Sequence, residues 1–245
     1  MERIVVKSVS KKFRIGSLKR KSVLARFVSL FTGREPQETI WALKDISLRA
    51  RSGEIVGVIG KNGSGKSTLL RIIAGIYRET SGLVQTSGKI ISLINLQAGL
   101  YPQLLMKDNI RSLCSIFGVN RRKAKLRFNS IIEFAELANY VNTKIYQFSE
   151  GMKQRLVFSV AIHSDPEILF LDETFETGDA AFQLKSANKI KELVGNGATV
   201  LLISHDWNLI QKHCTRVIWI KDGTIKAEGT PHEVLEQYLS PREMS

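Results

Sequence analysis

Residues 60–68 read "GKNGSGKST". Gly60, Gly65, Lys66 and Ser67 fill the pattern G-x-x-x-x-G-K-[S/T]. The stretch follows an apolar run, "EIVGVI", and opens a helix-forming run that begins near Gly65 and continues to about Ala74. That context gives the motif its meaning: a buried strand delivers the loop, and the loop opens a helix. Glycines let the backbone curl so that successive N–H groups face one anion, and the helix N-terminus adds its partial positive charge. Lys61, Asn62, Gly63, Ser64 and Thr68 complete the loop. In such a cradle the Lys66 ammonium reaches the β/γ-phosphates of a nucleotide and the Ser67 hydroxyl holds Mg²⁺.

Two further apolar runs end in chemistry. "ILFLDE", residues 168–173, buries four apolar residues and presents Asp172 and Glu173 at its carboxyl end. Adjacent acids at a strand end are often only a solvated corner; beside a phosphate loop they are placed where ligands sit in an open parallel sheet. Asp172 is expected to ligate Mg²⁺ through water, and Glu173 to orient or deprotonate the attacking water. "TVLLISHD", residues 199–206, carries His205 after its apolar run, 32 residues beyond Glu173; a lone histidine there is usually a polar turn residue, and here it is expected to sense the γ-phosphate.

The rest of the chain reads as strands alternating with helices. "RIVVKSV" and "ISLRA" are strands, "KIISLINL" is another, and "VIWIKDGTIKAEG" is a hairpin turning at "KDGT". "AAFQLKSANKIKELVG" and "PHEVLEQYL" are helices, the second with Pro231 in its first turn. From about 105 to 163 the pattern is helical, with Leu126, Ile131, Phe134, Leu137 and Ala138 as the expected apolar face. Strand–helix alternation implies a mainly parallel α/β core interrupted by this helical insertion. A basic insertion at 14–39 contains a predicted amphipathic helix, 18–31, with Leu24, Phe27, Val28 and Phe31 on one stripe and Lys19, Arg20, Lys21 and Arg26 elsewhere.

Composition narrows the class. The chain has 245 residues, 43% of them hydrophobic, enough for a substantial core. No run of about 18 apolar residues occurs, and the first residues lack a signal-peptide core. Two cysteines, Cys114 and Cys214, are too few for a disulfide framework and fit a reducing compartment as small core residues. The net charge is +13, with ten Lys/Arg against one Glu in residues 1–34 and seven Lys/Arg against one Asp in residues 107–128. Clusters of this kind point to an anionic surface, unless they are simply solvated faces.

With these residues in view the chain resembles an ATP-binding cassette (ABC) ATPase. "FSEGMKQRL", residues 148–156, is similar to the family signature L-S-G-G-Q: Ser149 and Gly151 match, whereas Phe148, Glu150 and Met152 depart from it. "DETFETGD" resembles the acid pair and the loop that follows, ending at Asp179. The match covers nearly the whole chain, and four motifs fall in the family's order. The implied fold is α/β, a P-loop NTPase of the ABC nucleotide-binding type, with a RecA-like core and a helical subdomain. The implied cofactors are ATP and Mg²⁺. Two copies are implied to pack head to tail, so that Ser149, Gly151 and the start of their helix hold the partner's γ-phosphate, with Asp179 beside the nucleotide. The resemblance also implies an aromatic on adenine, Phe13 first and Trp41 second, and a Mg²⁺-sensing Gln97, with Asn95 as the alternative.

A narrower resemblance joins "SEGM", "TGDAAFQ" and "IWALKDISL" to the polysaccharide-exporter branch, whose members export O-antigen, capsule or teichoic acid. It implies a homodimer serving an integral membrane permease, itself in two copies, at the cytoplasmic face of the cell membrane. Helix 18–31 is expected to lie on the membrane surface or the permease. No carbohydrate-binding domain is expected in this reading, and no nucleic acid is expected as partner. The competing readings are an exporter of another cargo and a soluble ABC protein acting on nucleic acid. Against the latter, the chain shows neither a coiled-coil insertion nor a second cassette.

Overall fold

Apolar runs become strands, and their order decides what they carry to the site. The structure is a computed structural model that describes residues 1–15, 38–94, 99–172, 179–204 and 206–239. The predicted amphipathic helix 18–31 lies outside the described residues. The elements are β1 (Glu2–Ile15), β2 (Glu38–Arg51), β3 (Ile55–Ile59), α1 (Lys66–Ile73), β4 (Ser81–Thr86) and β5 (Ile90–Ser92). There follow α2 (Met106–Ile116), α3 (Arg121–Ala135), α4 (Glu150–Ile162), β6 (Ile168–Leu171) and α5 (Ala180–Gly195). The chain continues with β7 (Thr199–Ile203), α6 (Trp207–His213), β8 (Arg216–Lys221), β9 (Thr224–Gly229) and α7 (Pro231–Tyr238).

The main sheet has the order β5-β6-β7-β3-β8-β9, parallel throughout except for the β8–β9 hairpin. Its central strands are buried at every position, which is why they read as unbroken apolar runs rather than as alternation. Each strand still has two faces. Ile168, Phe170, Leu201 and Ile203 enter one core with α1 and β1, while Leu169, Leu171, Val200 and Leu202 enter the other with α2–α5. Phe170 is wholly buried.

A second, antiparallel sheet, β2-β1-β4, was not legible in the sequence. Its β4, "SGLVQT", is exposed at five of six positions and carries a glycine, so neither apolar alternation nor a buried run marks it. β1 and β2 are also longer than the short runs that announced them, 14 residues each, because they pair with one another through several register shifts. "KIISLINL" shortens the other way: among its described residues only Ile90–Ser92 forms a strand, pairing with β6 at the edge of the sheet.

The helical stretch contains α2, α3 and α4. Of the expected apolar face, Ile131, Phe134 and Leu137 are buried in the core, whereas Leu126 is 76% exposed and Ala138 is exposed. Ile132 and Ala135 complete the buried stripe of α3; Leu137 and Ala138 lie beyond its end, because Glu136 adopts a left-handed conformation, φ 60°, that ends the helix and turns the chain.

Both cysteines are free and buried, and burial pushes the Cys214 thiol up to about 12. Burial raises Cys114 as well. Only thiolate reacts with a disulfide reagent. The folded protein is therefore expected to take up no Ellman's reagent over minutes at pH 8, and two equivalents once denatured, matching its two cysteines. Rapid labelling of the native chain would contradict the packing.

Candidate functional site

The phosphate loop is built from backbone that only glycine adopts easily. Gly60, Gly63 and Gly65 have φ of 146°, 81° and 110°. At two of them the space is closed too: a Cβ on Gly60 would stand 2.1 Å from the Ile220 carbonyl oxygen, and one on Gly65 2.6 Å from that of Ala42. The loop is braced by the β8–β9 turn, where the Gly223 N–H donates to the Ser64 carbonyl (3.0 Å) and the Lys44 N–H donates to the Gly223 carbonyl (2.7 Å). The Lys66 ammonium, 7% exposed, donates to the carbonyls of Gly60 (2.6 Å) and Lys61 (3.0 Å). Gly65 caps α1 in a left-handed conformation without a side-chain hydrogen bond. The Ser64 hydroxyl is buried and lacks a hydrogen-bond partner.

Strand order brings the chemistry together. β7 lies between β6 and β3, so the ends of all three strands converge. A cavity of about 240 Å³ there is lined by Asn62, Gly63, Lys66, Ser67, Thr68 and Asp172. A Cβ on Gly63 would meet nothing within 4 Å, so the backbone faces open space. This cradle fits a phosphate chain: amides and an ammonium converge on it, and glycine leaves room for close approach. Ser67 and Asp172, which line the same cavity, supply hydroxyl and carboxylate, the hard oxygen donors that Mg²⁺ takes. Ala42, which also lines the cavity, had no signal in the sequence reading.

Glu173, His205, Gln97 and Asn95 lie outside the described residues. Their described neighbours are placed: Asp172 follows β6, Ser204 follows β7, and the two strands pair in register. Asp206 caps α6, accepting from the Asn208 N–H (2.8 Å).

Phe13 and Trp41 stand near the same end of the β1–β2 ladder, where Phe13 pairs with Ile40 and Lys12 with Trp41. The Phe13 ring is partly covered by the edge of Tyr77 (5.7 Å between centroids), with the Lys11 ammonium 5.0 Å from its centre. Trp41 is 44% exposed beneath the Lys12 ammonium, and its neighbour Ala42 reaches the phosphate cavity. Neither ring is a fully packed core residue.

Ser149 caps α4, its Oγ accepting from the Met152 N–H at 3.2 Å. A Cβ on Gly151 would meet nothing within 4 Å. Neither residue, nor Asp179, lines the phosphate cavity of its own chain. Asp179 caps α5, and the Phe182 N–H together with the Arg155 guanidinium holds its carboxyl below the usual range. The role of Arg155 was missed from the sequence, although it stands in the signature stretch. It ion-pairs with Asp179 (2.6 Å) and Glu136 (3.1 Å).

A nucleotide cradle on a parallel sheet, with a helical lobe that offers a capped serine elsewhere, is the arrangement of an ATP-binding cassette. The family model for "ABC transporter" matches residues 43–176, and the chain belongs to that family. It is 39% identical to the teichoic acids export ATP-binding protein TagH of Lactococcus lactis over 96% of this chain and 50% of that protein. It is 37% identical to the O-antigen export system ATP-binding protein RfbB of Myxococcus xanthus over 97% of this chain and 56% of that protein. With RfbB of Klebsiella pneumoniae the identity is 37% over 80% of both. The chain thus spans about half the length of the first two relatives.

Solved structures agree on the fold. An ATP-binding subunit of an ABC transporter superposes with a TM-score of 0.77 at 21% identity, covering 96% of this chain and 93% of that one. The ATP-binding cassette MJ0796, dimeric in a post-hydrolysis state with ADP and Pi, gives 0.74 at 26% identity, covering 93% and 98%. Among the described residues no helix is long and apolar enough to cross a membrane.

Proposed function

We propose that the chain is the ATP-hydrolysing subunit of an exporter of lipid-linked polysaccharide such as O-antigen, capsule or teichoic acid. It works as a head-to-tail homodimer beneath a separate permease at the cytoplasmic face of the membrane. The observation that carries this reading is the similarity to export ATP-binding proteins, which for the Klebsiella relative runs over 80% of both chains. A dimeric cassette among the structural neighbours supports the pairing.

In this reading Lys66 turns from the loop carbonyls of Gly60 and Lys61 to the phosphates, and the Gly60–Thr68 backbone wraps them. Phe13, or else Trp41, stacks on adenine. Ser67 and Asp172 would hold Mg²⁺, with Gln97 or Asn95 reading it, and the ion would supply charge neutralisation at the phosphates. Glu173 orients or deprotonates water, and His205 contacts the γ-phosphate. Ser149, Gly151 and the start of α4 hold the partner's γ-phosphate. Each pocket is thus completed by a second chain, and hydrolysis releases the pair.

The test has two arms. Glu173→Gln is expected to bind ATP with unchanged affinity, hydrolyse it about a hundredfold more slowly, and elute as a dimer only with ATP. The tagged chain, isolated from detergent-solubilised membranes of its host, is expected to bring down a multi-helix membrane protein. Full-rate hydrolysis by the variant refutes the base; isolation without any membrane protein refutes the exporter.

A further inference from the structure

The start of α3 breaks the electrostatic rule for a helix. Four of its first five residues, Arg121, Arg122, Lys123 and Lys125, are cations, and no acid stands in the first turn. A helix N-terminus is itself partly positive and favours carboxylates, so these charges are repelled by the peptide dipoles beside them. They repel one another as well: Arg121 and Lys125 are one turn apart, as are Lys123 and Arg127. Among the described residues none of the four side chains makes an ion pair or a hydrogen bond. Arg127, later in the same helix, differs. It donates to Asp165 (2.5 Å) and to the His163 carbonyl (2.6 Å), and so fastens α3 to the chain that follows α4.

The same charges border a groove. A cavity of about 840 Å³ lies between α2 and α3. Ile110 and Val119, both buried, and the half-buried Phe128 give it apolar lining. Arg111 of α2 and Arg121 and Lys125 of α3 also line it, and no Asp or Glu does. Arg111 pairs with Asp108 (2.9 Å), but both side chains are exposed, so water weakens that bridge. At about 100° per residue, Arg121, Lys125, Arg122 and Leu126 fall on one side of α3. Leu126 is 76% exposed, an apolar side chain among cations.

We propose that this α2–α3 face docks on an anionic bilayer: a lipid phosphate sits among Arg111, Arg121 and Lys125, and Leu126 enters the headgroup layer. The headgroup boundary accepts both kinds of group at once, since cationic heads meet phosphate while their stems and the leucine lie against hydrocarbon. Nucleic acid would match the cations and leave Leu126 and the apolar lining unmatched. An anion among these residues also relieves the repulsion at the helix start, which nothing within the described chain does. The inference deepens the exporter reading and rests on it only for the presence of a bilayer. It adds that the helical lobe touches lipid directly, besides any contact made through a permease.

Leu126→Cys carries the test, because both native cysteines are buried. The full chain, labelled there with nitrobenzoxadiazole, is mixed with vesicles of phosphatidylcholine and phosphatidylglycerol. Its fluorescence is expected to rise and shift to the blue, to stay unchanged with phosphatidylcholine alone, and to fall back in high salt. Replacing Arg111, Arg121 and Lys125 together by Gln is expected to weaken vesicle binding through this face about a hundredfold, since each charge is worth roughly fivefold at an anionic surface. The melting temperature of that triple variant is expected to hold or rise, because two of the lost charges opposed the helix dipole; a purely structural role would lower it. Its ATP hydrolysis in solution is expected to stay within about twofold of the parent chain. Neutralising Lys19, Arg20, Lys21 and Arg26 to Gln is expected to leave the probe's response in place. A silent probe on vesicles that sediment the protein would assign the binding to another surface and overturn the inference. An equal response to neutral vesicles, loss of the response on neutralising residues 19–26, or a response to a co-purified permease in detergent but not to lipid would overturn it too. Isolation of the tagged chain without any membrane protein would end the exporter reading and leave the vesicle result standing.

Discussion

Lys66→Ala is expected to abolish measurable ATP hydrolysis and weaken ATP binding about a hundredfold. The ammonium is nearly buried and held by two loop carbonyls. When phosphate is present it supplies a charge-assisted hydrogen bond, worth about 1.5–3 kcal/mol, and stabilises charge that grows in the transition state. Removing it also leaves the Gly60 and Lys61 carbonyls without that donor, so the loop loses a brace as well as a ligand contact. Titration with a fluorescent ATP analogue measures the first effect and phosphate release the second. The same variant reports on pairing. Mixed in equal amounts with Ser149→Arg, which spoils the other half of the pocket, it is expected to recover about a quarter of wild-type activity, since half the dimers are mixed and each has one complete pocket. No recovery on mixing, with both variants folded, would mean that each chain builds its pocket alone.

Gly60→Ala is expected to cost about 3 kcal/mol or more, which for a domain of this size lowers the melting temperature by roughly 6–12 °C. The obstacle is backbone: the new Cβ would stand 2.1 Å from the Ile220 carbonyl and 2.7 Å from the Ser64 hydroxyl. Ile220 cannot retreat easily, because β8 pairs with β3 immediately beside the loop, Ile59 opposite Trp219. Gly63→Ala is the control. Its φ is also positive, 81°, but its Cβ would meet nothing within 4 Å. That substitution carries only the strain of a left-handed alanine, about 1–2 kcal/mol. Calorimetry of the two variants separates collision from conformation, and equal melting temperatures would refute the collision.

Much of the site was legible because its parts are local. The phosphate loop and the acids after "ILFL" each owe their reading to a few adjacent residues whose chemistry follows from backbone geometry, whereas the serine of "FSEGM" read by itself only as a helix cap and owed its further role to the family resemblance. The helices at 180–195 and 231–238 were equally plain, since capping residues and Pro231 mark their ends. Illegible parts came from distant pairing. β4 is polar and exposed, and becomes a strand because β1 offers it an edge. Leu126 satisfied a helical period yet faces solvent, because the packing of α3 on α4 rotates the buried stripe onto Ile131, Ile132 and Ala135. Ala42 reaches the nucleotide cavity only because β2 passes over the loop.

The amino-acid order alone determined that this chain cradles a phosphate: glycines at positive φ, a lysine and a helix start are fixed by spacing over nine residues. Tertiary structure decided which groups share a cavity and which are kept apart. Strand order brought Asp172 to the same cavity as Ser67, more than a hundred residues away in the chain, and the folding of α3, α4 and α5 onto one aromatic cluster joined Arg155 to Asp179. The reason is physical: hydrogen bonds within a turn depend on neighbours in sequence, whereas burial depends on every surface the chain brings together.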